Sequence, residues 1–402
     1  MTPSARVQAA IELLDAVIVA ARDGGASADV VTARFLKERR YMGSKDRRAV
    51  RDLVYDAIRL IGERPDNGRA AMAMLAAHNP EMQVLFDGSK YGPEPLEPAE
   101  LAIDKPGPIP QWLMPLLPDY IDVDEIAALL SRAPLDLGIK PGAQADVQQA
   151  FPDITVSEHL PQAGRLPAGT QVKNSAVWRE GLIDIQDWGS QAICALCDAA
   201  QHKAIIDLCA GAGGKTLALA QQADDDAVIL ATDTSRARLA ELAPRAERLG
   251  IPNIATRLLN PAQESAMLSD WKRRADCVLV DAPCSGTGVW RRNPEARWRL
   301  DAKRLDRLCE TQSRLLDIAA DMVRPGGILV YAVCSILPRE GVMQLAAFLD
   351  RKPELSVQLP DYPLGRCVGS KGVQHRESAL GIALTPAHDE TDGFFLTRLV
   401  KS

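Results

Sequence analysis

No run in this 402-residue chain approaches the roughly 20 consecutive apolar residues that a membrane span needs. The opening MTPSARVQAA has no charged region leading into an apolar stretch and a small-residue cleavage site, so no signal peptide is expected. A basic excess is missing as well. Lys and Arg number 47 against 53 Asp and Glu, a net charge of −6 and a pI near 5.6. No global field therefore draws in nucleic acid, and any such contact must come from local patches. The five histidines (His78, His159, His202, His375 and His388) are scattered. Cys194-Ala-Leu-Cys197 thus lacks a second ligand pair for zinc, and a buried helix face is expected there rather than a metal site. Eight cysteines in a long chain without a leader imply reduced thiols and a cytoplasmic location, not a disulfide framework. Internal repeats and low-complexity tracts are absent too.

What is present is a 47% hydrophobic composition, enough for a large core and two or three domains. Residues 1–90 read as all-helical: Val7, Ile11, Leu14, Ile18 and Ala21 follow the rhythm of one buried stripe. A second helix fits from Ser44 onward, with Ser44 as N-cap and Leu53, Ala57 and Leu60 inward. Residues 91–133 hold Pro93, Pro95, Pro98, Pro106, Pro108 and Pro110, which predicts an extended connection, then short helices at Trp112–Leu117 and Asp122–Ser131. Residues 134–190 read as a small α+β unit, with strands at Leu135–Ile139, Ile154–Ser157 and Gly181–Ile185 and a helix near Ala143–Ala150. From 191 to 402, β-rich runs at Ala204–Leu208, Val228–Thr232, Ile254–Leu258, Cys277–Val280, Ile328–Val333 and Phe394–Val400 alternate with helices at Thr216–Gln222, Arg236–Leu249 and Ala302–Met322. This is the pattern of an α/β fold with a doubly wound, mostly parallel sheet. Two basic runs stand out. Lys37–Arg51 has seven basic residues, Arg47 and Arg48 among them, against two acids; Arg291–Arg307 has seven against three. For each, a solvated helix face competes with a nucleic-acid contact.

In such sheets ligands bind beyond the carboxyl ends of the strands. Asp207, Asp233, Asn260, Asp281 and Cys334 all fall at or just past those ends. The turn after the first of these strands, Asp207-Leu-Cys-Ala-Gly211-Ala-Gly213-Gly-Lys215-Thr216, ends in GGKT but is no phosphate loop, because Cys209 stands where that motif requires glycine. Nor is it a dinucleotide fingerprint, since Thr216 occupies the place of the third glycine. Acid-x-x-x-Gly-x-Gly remains, a turn that lets the backbone approach a small cofactor end such as a methionine moiety. Asp233, 22 residues after Gly211, can accept both hydroxyls of a ribose, or it can cap the helix ahead of Arg236. S-adenosylmethionine is the natural candidate cofactor.

Two thiols share the rim, one in Asp281-Ala-Pro-Cys284-Ser-Gly-Thr-Gly288 and one in Tyr331-Ala-Val-Cys334-Ser335. Cytosine C5 is a poor nucleophile until a thiolate adds to C6, and a group at N3 assists that addition, for which Asp281 is the obvious choice. One thiol attacks and the other assists release; the residues alone do not order them. Cys277 and Cys309 are expected in the core. Gly288-Val-Trp-Arg291-Arg292-Asn-Pro-Glu-Ala-Arg297-Trp298 interleaves aromatics with arginines, which suits base stacking and phosphate contact. A capped helix start with core tryptophans is the competing reading for Trp290 and Trp298.

Together DLCAGAGGKT, VLVDAPCSGTGVWRRNPEARW, RPGGILVYAVCS and the terminal DGFFLTRL resemble the RsmB/Nop/Sun family of RNA cytosine-5 methyltransferases, over roughly Pro134 to the C-terminus. Ser44-Lys-Asp-Arg-Arg-Ala-Val-Arg-Asp-Leu-Val-Tyr55 resembles the NusB-like RNA-binding domain of bacterial members. The resemblance implies a Rossmann-like class I methyltransferase fold, S-adenosylmethionine as cofactor, ribosomal RNA as substrate, and a monomer with neither metal nor membrane. It makes Cys334 the nucleophile and Cys284 the thiol that promotes release. It assigns the cofactor to Cys209, Ala210, Gly211, Ala212, Gly213, Gly214, Lys215, Asp233, Asn260 and Asp281, with Lys215 facing the target base. RNA contacts are expected from Arg291, Arg292 and Arg297, and from Arg47 and Arg48. The chain departs from the family at Gly211-Ala212 (usually Ala-Pro), Asn260 (Asp), Val333 (Thr), Gly138 and Lys140 (Arg and Asn) and Gly341 (Asn). Asn260 and Val333 motivate a second reading, an RNA-binding or ribosome-assembly protein that keeps the fold with weak or no catalysis.

Overall fold

The computed structural model describes residues 1–102, 107–251, 254–361 and 364–402. Two compact units divide the chain. One joins Met1–Leu117 and Ile126–Ser131 to the distant segment Val289–Ala302; the other comprises Pro118–Glu125, Arg132–Gly288 and Lys303–Ser402. Among the described residues no helix is long and apolar enough to cross a membrane.

The first unit is built on four helices: α1 (Pro3–Arg22), α2 (Ala28–Glu38), α3 (Ser44–Leu60) and α4 (Gly68–His78). Thr2 caps α1 by accepting from the Ala5 amide, and Pro3 opens the helix where a missing N–H costs nothing. The expected stripe Val7, Ile11, Leu14, Ile18 and Ala21 is buried, and Leu13 and Val17 beside it widen the covered face. Gly43, not Ser44, is the N-cap of α3, whose buried side is Val50, Val54, Ala57 and Ile58, with Leu53 and Leu60 only half-buried. In the proline-rich connection, Pro98–Leu101 makes one helical turn after all. Proline at the first helical position loses no hydrogen bond, and Glu97 and Glu100 form a capping box. Pro106 lies outside the described residues.

Segment Val289–Ala302 corrects one expectation. Trp290 and Trp298 are buried, the latter in the core of the helical unit with its indole N–H donated to Ile61 O at 2.9 Å. Glu295 accepts the Ala28 amide at the start of α2. Arg299 donates to the Ala20 carbonyl in the last turn of α1 and to the Gly25 and Ala26 carbonyls of the turn that follows, a cation at the negative end of the helix. Arg297 is 1% exposed and donates to the Pro294, Pro108, Ile58 and Arg59 carbonyls; burial, with Arg59 nearby, pulls its pKa down to about 9. Arg291 is buried as well. Neither Arg291 nor Arg297 presents its guanidinium for RNA contact, because the helical core has claimed the segment.

The second unit carries two sheets. The smaller is antiparallel, ordered β2-β3-β1-β4, from β1 (Leu135–Ile139), β2 (Thr155–Val156), β3 (Ala163–Leu166) and β4 (Ile183–Ile185). β3 was not foreseen, since Ala-Gly-Arg-Leu holds no β-branched residue. The larger sheet is built from β5 (Ala204–Asp207), β6 (Val228–Asp233), β7 (Ile254–Leu258), β8 (Ala275–Asp281), β9 (Val323–Val333), β10 (Leu355–Val357), β11 (Arg366–Gly369), β12 (Gly372–Val373), β13 (Gly381–Leu384) and β14 (Phe394–Lys401). Its order is β12-β11-β13-β14-β9-β8-β5-β6-β7, with β10 on β14. Strands β5 to β9 are mutually parallel, and β14 joins β9 antiparallel. Cys277–Val280 and Ile328–Val333 are apolar without alternation, as a parallel sheet covered on both faces requires. The helix expected over Arg236–Leu249 is two pieces, Arg236–Leu239 and Leu242–Leu249. Pro244 has no N–H for the Ala240 carbonyl, so the chain breaks and restarts with proline in the first turn.

Replacing Arg297 with Ala leaves several buried carbonyls without their donor. The expected cost is about 2–4 kcal/mol, read as a lower urea midpoint for the helical unit, with the salt dependence of any RNA binding unchanged. A flattened salt dependence at unchanged stability would return Arg297 to the RNA-binding set.

Candidate active site

From β5 the chain winds outward through β6 and β7, then resumes at β8 on the other side of β5. The carboxyl ends of β5 and β8 therefore flank the point where strand order reverses, the standard place for a ligand crevice in such sheets. Lys215, in the first turn of helix Gly214–Gln222 after β5, donates to Asp281 Oδ2 at the end of β8 across 2.6 Å. Burial works against the Lys215 ammonium, but the Asp281 carboxylate outweighs it and the pKa ends up raised. Cys334 lies within the electrostatic reach of the same ammonium.

The glycine-rich turn between β5 and that helix is held from below. Gly211 and Gly213 have φ of +56° and +83°, and a Cβ on Gly213 would lie 2.6 Å from Leu242 Cγ. A Cβ on Gly211 would run into the Arg238 guanidinium. The Gly211 amide donates to Asp233 Oδ2 at 2.8 Å, and the Ser235 amide to Oδ1 at 2.7 Å. Ser235, rather than Asp233, caps the following helix. Each oxygen of Asp233 keeps acceptor capacity for a hydroxyl. Leu259 donates its amide to Asp233 O, which brings Asn260 to the same stretch of rim; the Asn260 side chain is exposed and reaches Gln263 Oε1 at 3.4 Å. A glycine cradle, a diol-accepting acid and an exposed amide fit an adenosyl cofactor with a methionine end, and residues 209–215, Asp233 and Asn260 would hold it. Asp207 sits beneath the cradle, accepting from Thr216 Oγ1 at 2.6 Å, and burial lifts its pKa to about 6.

The two rim thiols converge. Register in the parallel β8–β9 pair sets Asp281 opposite Ala332, so the loops leaving these strands start side by side. Cys284 Sγ and Cys334 Sγ are 3.2 Å apart, both half-buried. The hydrogen bond to Cys334, then burial, push the Cys284 thiol well above its ordinary pKa. Cys277 is fully buried as expected, whereas Cys309 is only half-buried. Cys194 and Cys197 are buried in the core, and no group of metal-binding side chains occurs among the described residues. Of the expected RNA contacts, Arg47, Arg48 and the half-buried Arg292 belong to the helical unit, where Arg47 also donates to Met42 O. Sequence reasoning missed Glu340, a fully buried acid bonded to Ser285, Ser335 and Gln312. An acid directly after Ile-Leu-Pro-Arg was its only local sign.

A cofactor cradle at a topological switch point, with the strand order above, defines a class I methyltransferase fold. The model of the 16S rRNA methyltransferase RsmB/F family matches residues 194–400, just over half of the chain, and the chain belongs to that family. Ribosomal RNA small subunit methyltransferase B of Salmonella arizonae is 34% identical over 244 residues, covering 60% of this chain and 52% of that protein. Its counterpart from Xylella fastidiosa is 34% identical over 256 residues, covering 63% and 57%. The chain thus spans about half the length of these relatives. Among solved structures, PH0851 has a TM-score of 0.76 at 20% identity, covering 100% of this chain and 99% of that one. NSun6 from Pyrococcus horikoshii, solved with SFG, has a TM-score of 0.63 at 16% identity, covering 72% and 97%. These two likenesses concern the fold.

The raised pKa of Asp207 predicts a pH-dependent gain for Asp207→Asn. Folded Asp207 holds its proton up to about pH 6 and unfolded Asp only to about 3.9, so its contribution to stability is full below the lower value and lost as pH rises through the upper one. At about 1.4 kcal/mol per pKa unit, the Asn variant gains up to about 3 kcal/mol at pH 7.5, shrinking towards zero near pH 4. Urea unfolding at both pH values checks this, and a variant no more stable at pH 7.5 contradicts it.

Proposed function

We propose that this chain is an S-adenosylmethionine-dependent methyltransferase that modifies C5 of a cytosine in ribosomal RNA through a covalent Cys334 adduct. The observation that carries the reading is the 3.2 Å approach of two thiols beside the Lys215–Asp281 pair, next to a glycine cradle at the switch point. Family membership supports the ribosomal substrate class.

Bound S-adenosylmethionine would supply an electrophilic methyl group. The protein's own part is to make the cytosine carbon reactive. Cys334 Sγ bonds to C6, which turns the ring into an enamine with electron density at C5. The Lys215–Asp281 pair lends N3 a proton as the ring loses aromaticity and takes it back on elimination. Cys284 promotes release: as a thiolate it takes the proton from C5, that electron pair re-forms the C5–C6 double bond, the Sγ–C6 bond breaks and Cys334 leaves as a thiolate. The glycine turn and Asp233 orient the methyl donor. Arg47, Arg48 and Arg292 are the remaining arginines proposed for RNA phosphates.

The Cys284→Ala protein is expected to accumulate an RNA adduct that survives denaturing electrophoresis, while Cys334→Ala forms none and loses methylation by bisulfite mapping of ribosomal RNA. The opposite pattern would exchange the roles. Wild-type methylation by both variants would sink covalent catalysis and favour an RNA-binding role on a methyltransferase fold.

A further inference from the structure

The mechanism leaves one fully buried carboxylate without a role. Glu340 follows β9 on the turn Pro338-Arg339-Glu340. Its backbone is pinned at both ends, its amide donating to Leu337 O at 3.0 Å and its carbonyl accepting from the Tyr331 hydroxyl at 2.6 Å. Oε1 accepts from the Ser285 amide at 2.8 Å and from Gln312 Nε2 at 2.9 Å. Oε2 accepts from the hydroxyls of Ser285 and of Ser335, the latter at 2.6 Å. Four hydrogen bonds offset the cost of burying this carboxylate.

The pattern of donors is informative. Ser285 directly follows Cys284 and Ser335 directly follows Cys334. One carboxylate therefore ties together the residues next to each thiol, although the two loops lie 50 positions apart in sequence. Gln312 extends the tie by also donating to Pro283 O, on the other side of Cys284, at 3.0 Å. Thr287 Oγ1 completes it, bonded to Ser335 Oγ at 3.0 Å and to the Ile336 amide at 3.1 Å. Strand register brings the loops to the same rim, but register ends at Asp281 and Ala332. Beyond those residues the two cysteine loops are joined by the Glu340 bonds to Ser285, by the hydroxyls of Ser285 and Thr287 against Ser335, and by the Gly288 amide donating to Cys334 O at 3.1 Å; Glu340 is the one charged group among them.

We infer that Glu340 is a positioning residue that sets the separation of the Cys284 and Cys334 sulfurs by clamping both loops to one carboxylate. This rests on the two-thiol reading of the site, yet it can be tested without RNA. Diamide takes two electrons and two protons from a pair of thiols, leaving an S–S bond and a hydrazine, at a rate that depends on how close the sulfurs are held. In the full chain, Glu340→Ala should slow formation of the Cys284–Cys334 disulfide, located by peptide mass spectrometry, by about tenfold or more. It should lower methylation kcat by a similar factor, with KM for S-adenosylmethionine changed by less than about twofold. Glu340→Gln should recover most of both, since the amide oxygen still accepts from Ser285 and Gln312 and its NH2 can donate to the two hydroxyls. If Glu340→Ala fails to fold, Ser335→Ala removes the hydroxyl that bonds Glu340, Thr287 and Ser285 while keeping the carboxylate, and should slow the disulfide by about threefold. A wild-type disulfide rate in Glu340→Ala, or in Ser335→Ala where that variant has to serve, overturns the inference. Slowed disulfide formation by Glu340→Ala, together with a Cys284→Ala protein that accumulates no RNA adduct, would retain the clamp and refute the covalent mechanism instead.

Discussion

Parallel pairing of β8 with β9 is the constraint on which the site depends. Once Asp281 stands opposite Ala332, the loops that carry Cys284 and Cys334 must leave the sheet together, and their sulfurs come within 3.2 Å. The same pairing lies next to β5, so Lys215 can reach Asp281 from the far side of the switch point. Three chemical groups from three parts of the chain thus start from one rim because of backbone hydrogen bonds made well below them. The apolar residues of β8 and β9, buried on both faces, hold that register.

The cradle follows a different logic. Gly211 and Gly213 read in the sequence as room for a cofactor, yet a Cβ at either would strike the protein's own Arg238 or Leu242. Their first task is internal. They let the turn fold back so that the Gly211 amide meets Asp233, the acid proposed to accept a ribose. A cofactor held there would meet a turn already formed, which would lower the entropy lost on binding.

Much of the fold was legible because parallel sheets announce themselves: of five central strands, Ile254–Leu258 was expected at its observed limits and the other four within one to five residues of theirs. The short antiparallel strands β10 to β13 gave no such signal. Lys37–Arg51 and Arg291–Arg307 looked alike in composition, but they differ in place. Arg48 is exposed on α3, whereas Arg297 and Arg299 donate to backbone carbonyls that a charge count cannot see. Glu340 stayed hidden for a related reason. Its partners, Ser285 and Ser335, acquire meaning only when two distant loops are brought together, and no local pattern encodes that meeting. Motif spacing found the groups that react; it did not find the group that holds them.

The most direct test of the central claim replaces cytosine with 5-fluorocytosine in the RNA substrate. Fluorine at C5 cannot leave as a proton does, so a thiol that has added to C6 stays attached once C5 has been methylated. Incubating the wild-type protein with this RNA and S-adenosylmethionine should give a stable conjugate whose peptide maps to Cys334. A conjugate on Cys284, or methyl transfer to ordinary RNA with no conjugate from the fluorinated one, would contradict the account.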